Sequence, residues 1–183
     1  IAYVDGKVLY EAETKGIKVS AENALSHITE LVEKLMQHAE ETPHGIIGLC
    51  AAIHGLVDQE EIVFTPNYTL QRDLKVQLED VYPFYVHLEN EANLAALGEY
   101  TFGSSSDSVV SLSIHTGIGA GIVENGKLRT GKTGKAGEIG HSILYPDGRK
   151  CPCGNNGCLE QYASHQAIYS ELEQALGLPD VNS

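Results

Sequence analysis

The sequence predicts an α/β fold, a mixed sheet flanked by helices, on three observations. Apolar residues recur every three or four positions over residues 20–41, at Ala24, Leu25, Ile28, Leu31, Val32, Leu35, Met36 and Ala39, which is the stripe of an amphipathic helix. Residues 46–53 then form an almost continuous apolar run after His44-Gly45, as expected of a strand covered on both faces. The whole order, hairpin, helix, strand, helix, strand, helix, hairpin, alternates the two periodicities along the chain.

Residues 1–13 open the chain with two β-rich runs around Asp5-Gly6, a dipeptide that favours a two-residue hairpin turn. The long helix ends at Thr42-Pro43. After a turn-rich stretch at Thr65-Pro66-Asn67, a short helix is expected over 73–78, a short strand over 84–88 and a helix over about 91–102. The flexible segment Gly103-Ser104-Ser105-Ser106-Asp107-Ser108 divides the chain into a smaller N-terminal α/β lobe, 1–106, and the start of a larger one, 107–183. Strands follow at 109–114 and 120–124, joined by Thr116-Gly117-Ile118-Gly119, with a hairpin turn at Asn125-Gly126. A helical pattern returns over 159–176 and stops at Gly177 and Pro179.

Composition narrows the function classes. Twelve Lys plus Arg against twenty-five Asp plus Glu leave a net charge of −13, which repels a phosphate backbone, so this chain is not expected to bind nucleic acid directly. Nothing approaches eighteen consecutive apolar residues, and 42% apolar content excludes a disordered chain, so neither membrane nor disorder is expected. No secretion signal opens the sequence, and a reducing cytoplasm is the expected location; Ile1 is not a natural start, so chain is expected upstream.

Cys151, Cys153 and Cys158 fall within eight residues, while Cys50 lies far upstream. Three thiolates spaced C-x-C-x4-C around two glycines can curl about one ion, and zinc takes four ligands. His141 in a glycine-rich loop or His165 on the last helix could supply the fourth, and His141 fits more easily. A disulfide plus a free thiol, or three inert cysteines, are the alternatives. Four protein ligands make such a zinc structural.

Thr116-Gly117-Ile118-Gly119-Ala120-Gly121 offers backbone N–H groups to an anion, making Thr116, Gly117 and Gly119 phosphate-loop-like, against the reading of a plain glycine-rich turn. Asn90 and Glu91 stand where a strand gives way to a helix, and they either meet a ligand or cap that helix. Glu138 precedes His141 by three residues, and Glu160 follows Cys158 by two. Carboxylates, an amide and an imidazole converging on one cleft suit a polyol, because each hydroxyl both donates and accepts; solvated surface charges are the alternative for Glu138 and Glu160.

Glu138-Ile139-Gly140-His141 followed by Cys151-Pro152-Cys153-Gly154-Asn155-Asn156-Gly157-Cys158-Leu159-Glu160 resembles the signature of the ROK family, sugar kinases and sugar-responsive transcriptional repressors. Glu89-Asn90-Glu91-Ala92-Asn93, Ala96-Leu97-Gly98-Glu99 and the glycine loop follow in the family's order, so the resemblance spans nearly the whole chain. It implies a two-lobed actin-like ATPase (ribonuclease H-like) fold, truncated at the N-terminus, where its first strand is absent, and at the C-terminus. It further implies that His141, Cys151, Cys153 and Cys158 bind structural zinc, and that Asn90, Glu91, Glu138, His141 and Glu160 line a monosaccharide. Gly55, in His54-Gly55-Leu56-Val57-Asp58, resembles the loop that closes over the sugar.

Two departures bear on the reaction. Kinases of the family place an aspartate base where this chain has Glu91, and His115 stands where their second phosphate loop commonly has glycine. Their first phosphate loop has no counterpart here, so no catalytic residue and no phosphate transfer are expected. The Asn-Glu-Ala-Asn form resembles the xylose-repressor branch. The expected protein is therefore the effector-sensing domain of a repressor that reaches operator DNA through a separate winged helix-turn-helix and forms a homodimer or higher oligomer. The alternative is a fragment of a sugar kinase, glucokinase-like or amino-sugar kinase-like, using ATP and Mg2+.

Overall fold

The computed structural model describes residues 1–39, 44–66, 68–103 and 105–177. The chain forms two compact units, Ile1–Glu91 and Ala92–Ser183. The Gly/Ser-rich segment expected to divide the lobes falls inside the second unit, because the helix before it packs with the strands after it.

The first unit opens with the Asp5-Gly6 hairpin turn, whose loop is one residue longer than the dipeptide suggests. Tyr3 N–H bonds Lys7 O at 3.0 Å, Gly6 N–H bonds Tyr3 O at 3.0 Å, and Gly6 takes φ 85°, the three-residue loop with a left-handed last residue. Helix α1 spans Ala24–Met36 and starts later than its stripe suggests. Asn23 accepts Ser20 N–H at 2.8 Å and donates to Lys18 O at 3.0 Å, so the preceding residues fold as a turn. The expected stop at Thr42-Pro43 lies outside the described residues.

Strands β1 (Gly48–Ile53) and β4 (Tyr85–Asn90) pair in parallel, Gly48 opposite Tyr85 and Ile53 opposite Asn90. Helix α2 (Leu74–Val81) lies between them in sequence, giving the expected crossover. β1 is covered on one face, not two. Leu49, Ala51 and Ile53 join a core of Val57, Ile62, Leu74, Leu78, Tyr82, Val86 and Leu88, whereas Gly48, Cys50 and Ala52 face outward. β2 (Leu56–Asp58) and β3 (Glu61–Phe64) form a hairpin without a glycine turn, Gln59 and Glu60 themselves taking φ 50° and 62°.

Helix α3 (Glu91–Gly98) begins at the last residue of the first unit; in the second unit it continues through a π turn at Glu99–Gly103 and packs on a sheet of order β5-β6-β7, spanning Ser108–Ile114, Ile118–Glu124 and Lys127–Leu128. A Cβ on Gly121 would stand 2.0 Å from Ala92 O and 2.7 Å from Ala96 Cβ, so glycine lets α3 lie flush on β6. The Asn125-Gly126 turn joins β6 to β7 with both residues at positive φ, 50° and 73°, as the sequence predicts. The last helix is two: α4 (Glu160–Ala163) and α5 (His165–Leu176), separated at Ser164, whose hydroxyl accepts Ala167 N–H.

Candidate functional site

In the second unit a glycine-rich segment carries Glu138 and His141 along β6. Ala120 N–H bonds Gly137 O at 2.9 Å, and a Cβ on Gly137 or Gly140 would stand 1.8 Å from Ala120 O or 2.1 Å from Ile118 O. Only glycine allows an approach this close, which fixes the short 3-10 turn Ile139–His141. The cysteine segment doubles back on itself: Lys150 bridges Asn156, Cys151 N–H bonds Asn155 O at 2.9 Å, and Gly157 N–H bonds Arg149 O at 2.8 Å. A second bridge, Ile143 to Cys158, brings the chain just after His141 alongside the cysteines.

The result is one cluster. A ring nitrogen of His141 and the sulfurs of Cys151, Cys153 and Cys158 all lie within 4.8 Å of one another. His141 Nδ1 is 3.6 Å from Cys151 Sγ, and Cys153 Sγ is 3.6 Å from Cys158 Sγ. Around tetrahedral zinc, bond lengths of about 2.3 Å to sulfur and about 2.0 Å to nitrogen give ligand–ligand edges of about 3.5–3.8 Å, which the His141–Cys151 and Cys153–Cys158 separations match, so the chemistry of the donor set suits such an ion. All four cysteines are free thiols, which sets aside the disulfide alternative for this structure. His165 stands apart: its ring lies 5.4 Å from that of His115 and 6.4 Å from that of Tyr169.

Protons are unevenly held in the cluster. Burial pushes the Cys151 thiol well above the ordinary range and raises the Cys158 thiol as well. Burial also acts on Cys153, but the Asn155 backbone N–H and the hydrogen bonds from Cys151 and Cys158 outweigh it and hold Cys153 below that range. A cation is what would release the remaining protons, since thiolates and not thiols ligate metal.

Two carboxylates flank the cluster. Cys151 donates to Glu160 Oε1 at 3.2 Å, and that oxygen is 3.5 Å from His141 Nδ1. Glu138 Oε2 lies 3.6 Å from His141 Nε2, the opposite ring nitrogen. One imidazole thus faces the thiols with Nδ1 and a carboxylate with Nε2. Glu160 Oε2 also closes on the β5–β6 turn, 3.0 Å from where a Gly117 Cβ would be. The phosphate-loop-like residues divide: Thr116 and Gly117 lie in the tight turn, where His115 N–H is taken by Gly117 O at 2.8 Å, while Gly119 is inside β6 facing Ala92.

In the first unit, Gly55, Asn90 and Glu91 gather at the carboxyl ends of the parallel strands, where open α/β sheets offer backbone and side chain together. Asn90 Nδ2 donates to Gly55 O at 2.8 Å and to Glu91 Oε2 at 3.3 Å. The sequence gives no hint of Tyr68 here. Its phenolic oxygen accepts His54 N–H at 3.0 Å, one residue from Gly55, and only its place after the turn-favouring composition Thr65-Pro66-Asn67 could have drawn notice.

The family model described as ROK family matches residues 1–182. The chain belongs to the ROK family. It is 39% identical over 150 residues to a xylose repressor of Bacillus subtilis, covering 80% of this chain and 39% of the repressor. Among solved structures it resembles a ROK family transcriptional regulator, a homolog of the E. coli MLC protein, with 28% identity and a TM-score of 0.81 over 96% of this chain and 46% of that one. It also resembles a ROK family glucokinase of Streptomyces griseus, solved with glucose and AMPPNP, with 35% identity and a TM-score of 0.75 over 86% of this chain and 51% of the kinase. The fold is therefore the actin-like ATPase fold of ROK kinases and regulators, and the ROK chain here spans about half or less of the length of these relatives. No helix among the described residues is long and apolar enough to cross a membrane.

Proposed function

We propose that this chain is the sugar-sensing, effector-binding part of a ROK-family transcriptional repressor, acting in the cytoplasm, with a separate winged helix-turn-helix reading the operator. The observation that supports this reading is the joint placement of Glu138 and Glu160 against His141 and Cys151, within a His/Cys3 cluster whose donors could hold a metal ion. Zinc held by His141, Cys151, Cys153 and Cys158 has no open position; its work is to fix the cysteine loop so that Glu138, His141 and Glu160 present acceptors and donors at set places. Gly55, Asn90 and Glu91 supply the hydroxyl-binding groups of the first unit.

The similarity to xylose repressors makes D-xylose the first effector to try. A sugar that binds one arrangement of the protein better than another shifts the population toward it and so changes operator affinity, in a homodimer or higher oligomer. The glucokinase likeness carries the second reading, a sugar kinase using ATP and Mg2+ with Glu91 as general base.

One comparison separates the two: calorimetry with D-xylose and D-glucose, beside ATP turnover with the same sugars. Sugar binding without turnover supports the repressor reading, and sugar-dependent ADP release supports the kinase.

A further inference from the structure

In the first unit, Gly16, Ile17, Lys18, Val19 and Tyr68 line an open depression of about 450 Å³. A volume of this size falls within the range of small-molecule sites, about 300–1,000 Å³. Tyr68 is held one residue along the chain from the hydroxyl-binding groups. Its oxygen accepts His54 N–H at 3.0 Å; the next residue, Gly55, accepts Asn90 Nδ2 at 2.8 Å; and Asn90 reaches Glu91. Thr65 Oγ1 donates to Tyr68 O and pins the backbone on the other side.

The phenol stays protonated at neutral pH. Burial pushes it above its ordinary value, and the Glu91 carboxylate adds to this against the pull of the His54 N–H. With its oxygen already accepting, the Tyr68 O–H is left as a donor, and among the described residues no acceptor takes it.

We propose that Tyr68 is a sugar-positioning residue: its hydroxyl, oriented by His54 N–H, donates to one hydroxyl of a monosaccharide whose far side occupies the depression bounded by Gly16, Ile17, Lys18 and Val19. This rests on the sugar-binding reading above and adds a donor to a set otherwise rich in acceptors. A donor held in place distinguishes a sugar bearing that hydroxyl from its deoxy analogue, because the analogue leaves a half-buried O–H without a partner.

The test is calorimetry of the protein and of Tyr68→Phe with D-xylose, D-glucose and the monodeoxy analogues of whichever binds. The expected result is that Tyr68→Phe weakens the parent sugar about tenfold, erases the protein's preference over one monodeoxy analogue, and leaves its preference over the others intact. A structural effect of the variant would instead weaken all the sugars alike. Val19→Phe, which fills the depression without altering the phenol, lowers affinity by at least about tenfold and serves if Tyr68→Phe does not fold. If the unaltered protein binds neither sugar, the sugar-binding reading fails. If it binds one, and both variants bind that sugar as tightly with every deoxy preference unchanged, the assignment of Tyr68 alone is overturned.

Discussion

Glu160 meets the His141–cysteine cluster at Cys151: Glu160 Oε1 lies 3.2 Å from Cys151 Sγ, at the point where the cysteine loop passes into helix α4. The carboxylate is thereby set by the loop that gathers the ligands. Anything that loosens this loop should disturb Glu160 before it disturbs the sheet.

Cys153→Ser should therefore release the metal and lower sugar affinity together, since three remaining ligands bind zinc far more weakly and Glu160 loses its frame. Elemental analysis beside calorimetry checks this. His165→Ala should leave metal content unchanged, because its ring contacts His115 and Tyr169 and not the sulfurs.

Glu138→Ala should weaken sugar binding by about 1–3 kcal/mol while metal content stays the same, because Glu138 meets the Nε2 side of His141 and the sulfurs lie on the other. Loss of both metal and sugar in this variant would place Glu138 in the ligand frame.

Gly121→Ala should destabilise the fold by at least about 1–3 kcal/mol. The added methyl would fall 2.0 Å from Ala92 O, and a backbone atom cannot step aside as a side-chain end can. Chemical denaturation reads the effect, and metal content of the folded fraction should not change.

Glu60→Gln should cost stability at neutral pH and lose its effect in acid. Glu60 accepts from Lys75, from Tyr85 at 3.0 Å and from His87 at 2.5 Å. Burial works to raise this carboxyl, but those bonds outweigh it and hold it at about 2, below its ordinary 4.5. A depressed acid stabilises the fold fully above its unfolded value, and that stability is lost as pH falls from about 4.5 toward about 2. The gap between the variant and the unaltered protein should close across this window in thermal melts at stepped pH.

Local chemistry made much of this structure legible. Asn125-Gly126 encodes its turn because both positions need positive φ, and the regular stripe around Ile28 and Val32 encodes a helix. The β2–β3 hairpin was not legible, since Gln59 and Glu60 adopt positive φ without any glycine to announce it. The break between α4 and α5 was hidden in the same way: Ser164 looks like one more helical residue until its hydroxyl is seen capping Ala167. At the cluster, cysteine spacing identified three donors, but the choice of His141 over His165 became a matter of observation only with the Ile143–Cys158 bridge that folds His141 back. Gly137 and Gly140 read as a loop in sequence; their work is to let that loop touch β6 backbone.

The most direct test of the account is the metal content of protein purified under reducing conditions, measured by elemental analysis in parallel with Cys158→Ser. The account predicts about one zinc per chain, lost in the variant. Metal-free protein that still folds and binds sugar would contradict it.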